Sequence, residues 1–396
     1  MKRMERWNWQ RAEWPRLRFD AAALDAAEER FAAGCGALLA RVRRVEPGEE
    51  ERVMVERVVD EAITTSTIEG EVLDRASVQS SVRRALSLGV PDPKAGDAER
   101  GVSELLVDVC RTFALELDET TLCRWHALVM RGRKDLPDVG RWRTRREPMQ
   151  VVSGRLDRPT VHFEAPPSTR VPAEMARFLA WFNGGRAPAG NARLGPLARA
   201  GLAHLWFESV HPFADGNGRL GRAISEKALA QSMEHPSLTA ISPVILARRA
   251  EYYAALAEAS RGMEATAWLR WFAGAVLQAQ ARAAAEVEFV LAKARLLARL
   301  GQQLNMRQEK ALLRMMEPGT AGFEGGMTAG KYVALTRASP ATATRDLAEL
   351  AEAGALLRTG ERRYVRYALT LPVRPAPRID VDEKGRVVVR AAREPH

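Results

Sequence analysis

The stretch His211-Pro-Phe-Ala-Asp-Gly-Asn-Gly-Arg-Leu-Gly-Arg222 combines residue types that suit the binding of a polyphosphate. Gly216 and Gly218 permit a positive-φ backbone, in which successive N–H groups point into one hollow. If the residues from Arg219 onward are helical, this hollow lies at a helix N-terminus, where free N–H groups and the helix dipole favour an anion. The stretch therefore predicts an anion-binding loop that leads into a helix.

The side chains of this loop indicate how a bound phosphate would be handled. Asp215 can hold Mg²⁺, which proteins usually bind through one or two carboxylates together with phosphate oxygens. Arg219 and Arg222 are three residues apart, so both can face one end of the helix and clamp phosphate. His211 is mostly neutral at pH 7 and can accept a proton. Asn217 either binds phosphate or shapes the turn, and both roles stay open.

These twelve positions resemble the signature of the Fic family, His-Pro-Phe-x-(Asp/Glu)-Gly-Asn-Gly-Arg-x-x-Arg, and agree with it at every fixed position. The resemblance implies a mainly α fold with a Fic-type helical core. It also implies an enzyme that uses ATP and Mg²⁺ to move AMP onto a Ser, Thr or Tyr hydroxyl of a protein. In such an enzyme His211 would take the hydroxyl proton, Asp215 would position Mg²⁺, and the main chain near Asn217 and Gly218 would hold the diphosphate. The loop recognises only phosphates, so transfer of UMP or phosphocholine remains open.

A second motif lies upstream, at Thr65-Ser66-Thr67-Ile68-Glu69-Gly70. It matches (Ser/Thr)-x-x-x-Glu-(Gly/Asn) and resembles the self-inhibitory element of many Fic proteins. A helix with an apolar face is predicted before the motif. Because Thr65 and Glu69 are four residues apart, they share one face near its C-terminus, and Gly70 supplies a left-handed cap. A carboxylate at this end opposes the helix dipole and needs a partner, which the resemblance names as Arg222. The alternatives are an ordinary helix end, or a second role for Glu69 in orienting a water that removes AMP.

Short β-prone runs around Ser153-Gly154 and Pro159 predict a hairpin. In position it resembles the flap beside the catalytic loop of Fic proteins. An exposed hairpin edge can bind a target segment as an added strand and present its hydroxyl to the catalytic base. The alternative is a hairpin that only covers the core. The residues that we assign to target docking are Val151, Val152 and Val161.

The helix before the loop supports this assignment. Pro196 favours a first helical turn, and two adjoining apolar stripes after it predict burial on most of the helix circumference. His204, on this helix, is interpreted as structural and not catalytic. Tyr252 and Tyr253 either line the nucleotide pocket or pack in the core, and the sequence does not decide between these roles.

Composition limits the class of protein. The chain has 396 residues, of which 46% are hydrophobic and 28% are charged, as in an ordinary soluble protein of two or three domains. No run of about eighteen apolar residues predicts a membrane span, and the charged N-terminus is unlike a signal peptide. Cys35, Cys110 and Cys123 have no metal-ligand spacing and are expected to be reduced thiols. We therefore expect a cytoplasmic protein.

From about residue 305 the pattern predicts three helices and then a hairpin, with the helices at 308–316, 328–336 and 341–353. This order resembles a winged helix-turn-helix domain. Thr342, Thr344 and Arg345 would lie near the start of its recognition helix. The wing at 356–367 has four arginines against one glutamate, a difference of +3, and the chain has a net charge of +10. Binding to DNA and docking to a protein, including a second copy of this chain, both stay open.

The predicted organisation has four parts. Residues 1–100 form a Trp-rich region and the inhibitory helix, and 101–300 form the catalytic core with its flap and a long final helix. Residues 305–370 form the winged helix, and 371–396 form a tail or a small hairpin. The rings of Trp7–Trp14 are expected to pack as an anchor. The predicted activity is AMP transfer to a protein, which can be the chain itself, and the alternative is a DNA-binding regulator whose Fic module senses nucleotide.

Overall fold

The computed structural model describes residues 7–42, 47–88, 95–155, 158–184, 194–236, 239–372 and 376–391. It is mainly α-helical, as predicted. The helices are α1 Asp25–Val42, α2 Pro47–Ile68, α3 Arg75–Ala85, α4 Asp97–Arg111, α5 Glu119–Val129, α6 Val171–Gly184, α7 Pro196–Val210, α8 Asn217–Met233, α9 Ser242–Ala247, α10 Arg249–Ala259, α11 Thr266–Leu300, α12 Met306–Met316, α13 Ala329–Thr336 and α14 Pro340–Glu352. The strands form antiparallel hairpins of β1 Gln150–Arg155 with β2 Arg158–Glu164, β3 Leu356–Thr359 with β4 Arg366–Leu369, and β5 Arg378–Val381 with β6 Val387–Arg390.

The chain divides into two compact units. The first contains Met1–Gly36, Met54–Gln280 and Arg378–Arg390, and the second contains Ala37–Val53, Ala281–Pro377 and Ala391–His396. These boundaries differ from the predicted ones. The last part of α11 belongs to the second unit, and the β5–β6 hairpin returns to the first instead of forming a separate tail.

Contacts that are remote in sequence explain the return of the last hairpin. Arg248 donates hydrogen bonds to the Ile379 carbonyl at 3.2 Å and to the Asp380 carboxylate at 2.8 Å. At Gly274 on α11, an added Cβ would meet the backbone of the same two strand residues. A short hairpin carries no local signal for such partners, so the sequence alone could not place it.

Helices α7 and α8 form the centre of the first unit. Most of the α7 side chains are buried, from Leu197 to Val210, as the two apolar stripes predicted. The first four turns of α8 are buried as well. Six residues, 211–216, connect the two helices, so a rigid core holds both ends of the signature loop.

The tryptophans near the N-terminus are buried, which confirms their predicted role as an anchor. Trp7 packs edge-on against Phe163 of β2 with 5.3 Å between ring centroids. The indole N–H of Trp9 donates to the Glu164 carbonyl at 2.6 Å, and that of Trp14 donates to Glu174 at 2.9 Å. The anchor therefore ties the chain start to the base of the β1–β2 hairpin.

The predicted hairpin is present as β1 and β2. Its register pairs Val151 with Phe163 and Val152 with Val161, and a bulge separates the two pairs. Val151 and Val161 are 40% and 38% exposed. The side chain of Val152 lies outside the described residues, as do residues 156 and 157 of the connecting turn.

The second unit has its own core. Helices α12, α13 and α14 and the β3–β4 hairpin follow the predicted order, and the helix ends lie within two residues of the predicted ones. Leu312, Met315, Tyr332, Leu347 and Leu356 are among its buried residues. Backbone hydrogen bonds between Met327 and Tyr367 add a third extended segment to the hairpin.

The helix lengths and the cysteines bear on two expectations from the sequence. Within the described ranges, no helix combines the length and the apolar character that crossing a bilayer requires. The three cysteines are free thiols. Burial raises the pKa of Cys110 to about 12 and that of Cys35 to about 11, so both are unreactive at neutral pH.

Candidate active site

The backbone of the signature loop turns sharply at each end. His211 follows α7 with φ 48° and ψ 60°, and Gly216 precedes α8 with φ 75° and ψ 4°. Gly216 thus adopts the predicted left-handed conformation. The same prediction for Gly218 is wrong, because this residue lies inside the first turn of α8. A Cβ at Gly218 would instead overlap the Glu69 carboxylate, so a side chain at this position would displace Glu69 from its present place.

The N-terminus of α8 offers free hydrogen-bond donors. The helix begins at Asn217, two residues earlier than predicted, and its first helical bond runs from Leu220 N–H to the Gly216 carbonyl. The N–H groups of Asn217, Gly218 and Arg219 have no acceptor among the described residues. Nε of Arg219 and Nη1 of Arg222 are likewise buried without an acceptor there. Donors without acceptors are costly, so this set of donors suits an anion as its ligand.

His211 lies beside a carboxylate that the sequence analysis did not single out. Its Nδ1 is 3.6 Å from Oε2 of Glu208, which is longer than a hydrogen bond, so the contact is electrostatic. Burial alone would raise the pKa of Glu208, but the neighbouring His211, His204 and Arg222 groups outweigh burial and lower it. Glu208 is therefore ionised at neutral pH. Because Nδ1 is buried next to it, Nε2 is the nitrogen of His211 that can serve a substrate.

Arg143 and Phe213 hold the loop in place. Arg143 donates from Nε to the His211 carbonyl at 2.8 Å and also donates to the Pro166 carbonyl beside the flap. Phe213 is fully buried and stacks on His126 with 4.0 Å between ring centroids. Burial lowers the pKa of His126 to about 4, so its ring is neutral and supports the loop by packing. These contacts anchor the loop in the core through Phe213.

Asn217 shapes the turn. Its Oδ1 accepts the Phe213 N–H at 3.0 Å, and its Nδ2 donates to the Phe213 carbonyl at 2.9 Å. Both ends of the amide are used by the loop backbone. Of the two roles left open by the sequence, the structure therefore favours the turn for the side chain and leaves the main-chain N–H for an anion.

Asp215 is placed at the edge of the hollow, with its side chain 40% exposed. One oxygen accepts the Gly216 N–H at 2.6 Å, and the other accepts Nη1 of Arg133 at 2.9 Å. Among the described residues no group of three metal-binding side chains is present. A single accessible carboxylate next to the free N–H groups of α8 nevertheless fits Mg²⁺, which keeps water and phosphate oxygens as its other ligands.

The upstream motif reaches the signature arginine. Nε of Arg222 donates to Thr65 Oγ1 at 2.7 Å, and its Nη2 donates to the Thr65 carbonyl at 3.0 Å and to Glu69 Oε1 at 2.8 Å. Arg222 is only 1% exposed. Gly70 ends the helix with φ 86°, as predicted for a left-handed cap. The pairing of Glu69 with Arg222 that the resemblance implies is thus present, and Thr65 binds the same guanidinium group.

A second carboxylate of the same segment binds the other signature arginine. Glu71 Oε2 accepts Nη1 of Arg219 at 2.7 Å, although Arg219 is almost fully buried and Glu71 is 33% exposed. Sequence reasoning missed this pair. Glu71 lies outside the six-residue motif, and only its position two residues after Glu69 hinted at it.

The aromatic residues of α7 and α10 have separate roles. His204 is fully buried and contacts Ser225 Oγ at 3.1 Å and the Tyr252 hydroxyl at 2.8 Å. Burial lowers its pKa to about 4, which agrees with a structural role. Tyr252 is thereby committed to the core. Tyr253 is 41% exposed, and burial together with the Glu69 charge raises its pKa, so its role at a nucleotide pocket stays a prediction.

Comparison with known proteins defines the class. Residues 116–229 match the family model described as Fic/DOC family, so the chain contains a Fic/DOC domain that includes the loop and most of α8. Residues 7–88, which include the Trp anchor and Thr65–Glu71, match a model described as a domain of unknown function, DUF4172.

Individual relatives are similar to this chain to different extents. Protein adenylyltransferase fic-1 of Caenorhabditis elegans is 30% identical over 158 residues, which cover 39% of this chain and 27% of the worm protein. A Fic family protein of Desulfovibrio desulfuricans G20 has 22% identity and a TM-score of 0.48, with 88% of this chain and 97% of that chain covered. A Fic domain containing signaling protein of Bacteroides thetaiotaomicron has 17% identity and a TM-score of 0.49, with 65% and 95% covered.

Proposed function

We propose that this protein transfers AMP from ATP to a hydroxyl group of a protein. The observation that carries the proposal is the set of free donors at the start of α8, which lies next to His211. Five of them, three main-chain N–H groups and two guanidinium nitrogens, lack acceptors. The Fic/DOC match and the adenylyltransferase relative support the same reaction class.

In the proposed reaction His211 accepts the proton of the attacking hydroxyl at Nε2. The ionised Glu208 beside Nδ1 stabilises the imidazolium that forms and holds the ring in place. The hydroxyl oxygen then bonds to the α-phosphorus, and the bond to the pyrophosphate oxygen breaks. The amides of α8 with Arg219 and Arg222 stabilise the charge on the leaving pyrophosphate.

Asp215 is the residue that would hold magnesium. When bound, the ion would neutralise phosphate charge and fix the phosphates relative to the loop. In the structure, Arg133 is the counter-ion of the Asp215 carboxylate. Arg133 therefore keeps the site electrostatically balanced before nucleotide binds.

The flap is proposed to dock the target. Val151 and Val161 are exposed on β1 and β2, and together with Val152 they offer an extended edge to which a target segment can add as a strand. The anchoring of Phe163 and Glu164 by Trp7 and Trp9 holds this edge at a defined place. Docking by the main chain explains how a hydroxyl can be presented to His211.

Self-inhibition is proposed to act through Glu69. Its bond to Arg222 removes the arginine that the γ-phosphate would use, so ATP would bind without reaching the productive pose. Thr65 holds the same guanidinium from its other side. A second proposed role of Glu69 is to orient a water for the reverse removal of AMP.

The test is mass spectrometry of the Glu69→Gly protein after incubation with ATP and Mg²⁺. We expect a gain of one AMP on a Ser, Thr or Tyr of the chain or of an added target, and much less on the wild type. The Glu69→Gly/His211→Ala protein is the matched control and should stay unmodified. Parallel incubations with UTP, GTP and CTP identify the donor, and nucleotide binding without modification by any donor would contradict the proposal.

The second unit supports an accessory role in DNA binding. On α14, Thr344 and Arg345 are exposed, whereas Asp346 is buried and bound by Arg307 and the Tyr332 hydroxyl, both at 2.9 Å. Asp346 therefore does not face a ligand, whereas Glu349 and Glu352 on the same helix are exposed. A mobility-shift titration at several salt concentrations tests this, since Arg345→Ala should weaken binding and lower the salt dependence. Equal shifts for both proteins would favour the protein-docking alternative.

A further inference from the structure

A cleft remains in the first unit that the proposed reaction does not use. It lies between α3, α4 and α5 and has a volume of about 590 Å³. This is within the range of small-molecule sites, roughly 300 to 1,000 Å³. We call it the arginine cleft after the five basic residues that line it, Arg84, Arg100, Arg111, Arg124 and Arg131.

Two carboxylates hold part of this basic set in position. Glu104 accepts two hydrogen bonds from Arg131, at 2.8 and 2.6 Å, and Asp108 accepts one from Arg124 at 2.8 Å. The Arg131 bond lowers the pKa of Glu104, and bonds from Arg124 and Trp125 outweigh burial to lower that of Asp108. Both are ionised at neutral pH. Five arginines against two carboxylates leave the cleft with a charge of +3.

Two of the arginines are available to a ligand. The side chains of Arg84, at the end of α3, and Arg111, at the end of α4, form no hydrogen bond or salt bridge with a described residue. Their guanidinium groups can therefore turn toward an anion without breaking an internal contact. The carboxylate-held Arg124 and Arg131 supply fixed positive charge beside them.

The geometry points to the arginine cleft as a binding site for a compact polyphosphate, a small ligand with at least two phosphate groups. Guanidinium groups bind phosphate with paired N–H bonds, and several phosphates are needed to balance a charge of +3. A concave site cannot enter a groove of duplex DNA, which is recognised by protruding helices or strands. None of the lining residues belongs to the signature loop, α8 or residues 65–71, so this site is separate from the candidate active site.

Calorimetry with inorganic tripolyphosphate and the full chain tests the proposal, in the absence of nucleotide and Mg²⁺. Arg84→Ala/Arg111→Ala should raise Kd at least tenfold, which corresponds to about 1.4 kcal/mol. Arg30→Ala/Arg83→Ala removes the same charge from exposed or partly exposed positions outside the cleft and should change Kd less than threefold. Arg84 and Arg111 are exposed, so the cleft variant should melt at the wild-type temperature.

Hydrogen exchange locates the bound tripolyphosphate. We expect added protection in 75–85 and 97–111, separate from any protection of 211–222 that binding at the candidate active site produces. Three results would overturn the assignment: no binding heat with the wild type, equal weakening in both double variants, or protection confined to the signature loop.

Discussion

Glu69 lies over the first turn of α8, where its carboxylate accepts a 2.8 Å hydrogen bond from Arg222 and fills the space that a side chain at Gly218 would need. The carboxylate and the glycine are far apart in the sequence. In the fold, the missing side chain of Gly218 leaves the space that the Glu69 carboxylate occupies. An anion of the protein itself thus covers the helix N-terminus that we propose for the phosphates of ATP. Four predictions follow from this site and its surroundings.

Gly218→Ala should lower the stability of the wild type, because the new Cβ overlaps the Glu69 carboxylate. In the Glu69→Gly background that overlap is gone, so the same change should cost less. We expect a coupling free energy of about 1 kcal/mol or more from a double-mutant cycle measured by urea unfolding. Gly36→Ala, where an added Cβ meets no atom within 4 Å, is the control and should show no coupling with Glu69→Gly.

Glu71→Gln should release part of the inhibition. The change removes the salt bridge to Arg219, a pair of the partly exposed kind that contributes up to about 1 kcal/mol, so initial rates of AMP incorporation should rise about two- to fivefold. Added to Glu69→Gly, it should raise the rate further. Glu56→Gln removes a salt bridge between α2 and Arg75 of α3 and serves as control. If both glutamine variants behave alike, Glu71 has no specific inhibitory role.

Glu208→Gln, in the Glu69→Gly background, should lower kcat about ten- to a hundredfold, because a neutral amide stabilises an imidazolium less than a carboxylate does. The acidic limb of the kcat profile should move to lower pH for the same reason. ATP affinity should change little, since Glu208 does not belong to the anion hollow. Glu258→Gln alters an exposed carboxylate on α10 and should leave the profile unchanged. A drop in stability without a shift of the profile would limit Glu208 to a structural role.

His204 should make folding stability depend on pH. Burial lowers its pKa to about 4 from the ordinary 6.5. Between these two pH values the unfolded chain therefore binds a proton more readily than the folded chain does. Stability due to the neutral ring is fully present above pH 6.5 and is lost as the pH falls toward 4. Between pH 7 and 4.5 the wild type should lose about 2 kcal/mol more than His204→Gln, measured by urea unfolding at both pH values. His235→Gln should retain the wild-type loss, and identical losses for His204→Gln and wild type would contradict the assignment.

Several features of the site followed from local sequence. The periodic apolar residues after Pro196 predicted a buried helix, and the run around 211–222 predicted a loop at a helix start. Gly70 predicted the end of α2 because its spacing and conformational freedom suit a left-handed cap. Such features depend on neighbours a few residues away, so they are encoded within one stretch of chain.

Contacts between residues that are far apart in the sequence could not be predicted from local patterns. The Glu71 and Arg219 side chains are 148 residues apart, and those of Arg133 and Asp215 are 82 apart. The function of Gly218 was attributed to backbone freedom, whereas the fold requires its lack of a side chain. Pairing between distant charges depends on how the helices pack, and no spacing rule within one helix describes it.

Twelve consecutive residues contain the groups on which the proposed chemistry depends. They are an imidazole before a glycine-containing turn and two arginines one helical turn apart. Helical periodicity and residue type carry that information locally. Only the tertiary structure decided that Glu71 covers Arg219, that Glu208 lies beside the imidazole, and which helices enclose the arginine cleft. Those relationships arise when α2 through α8 bury their apolar faces together, because burial brings remote charges to distances at which they must be paired or neutralised.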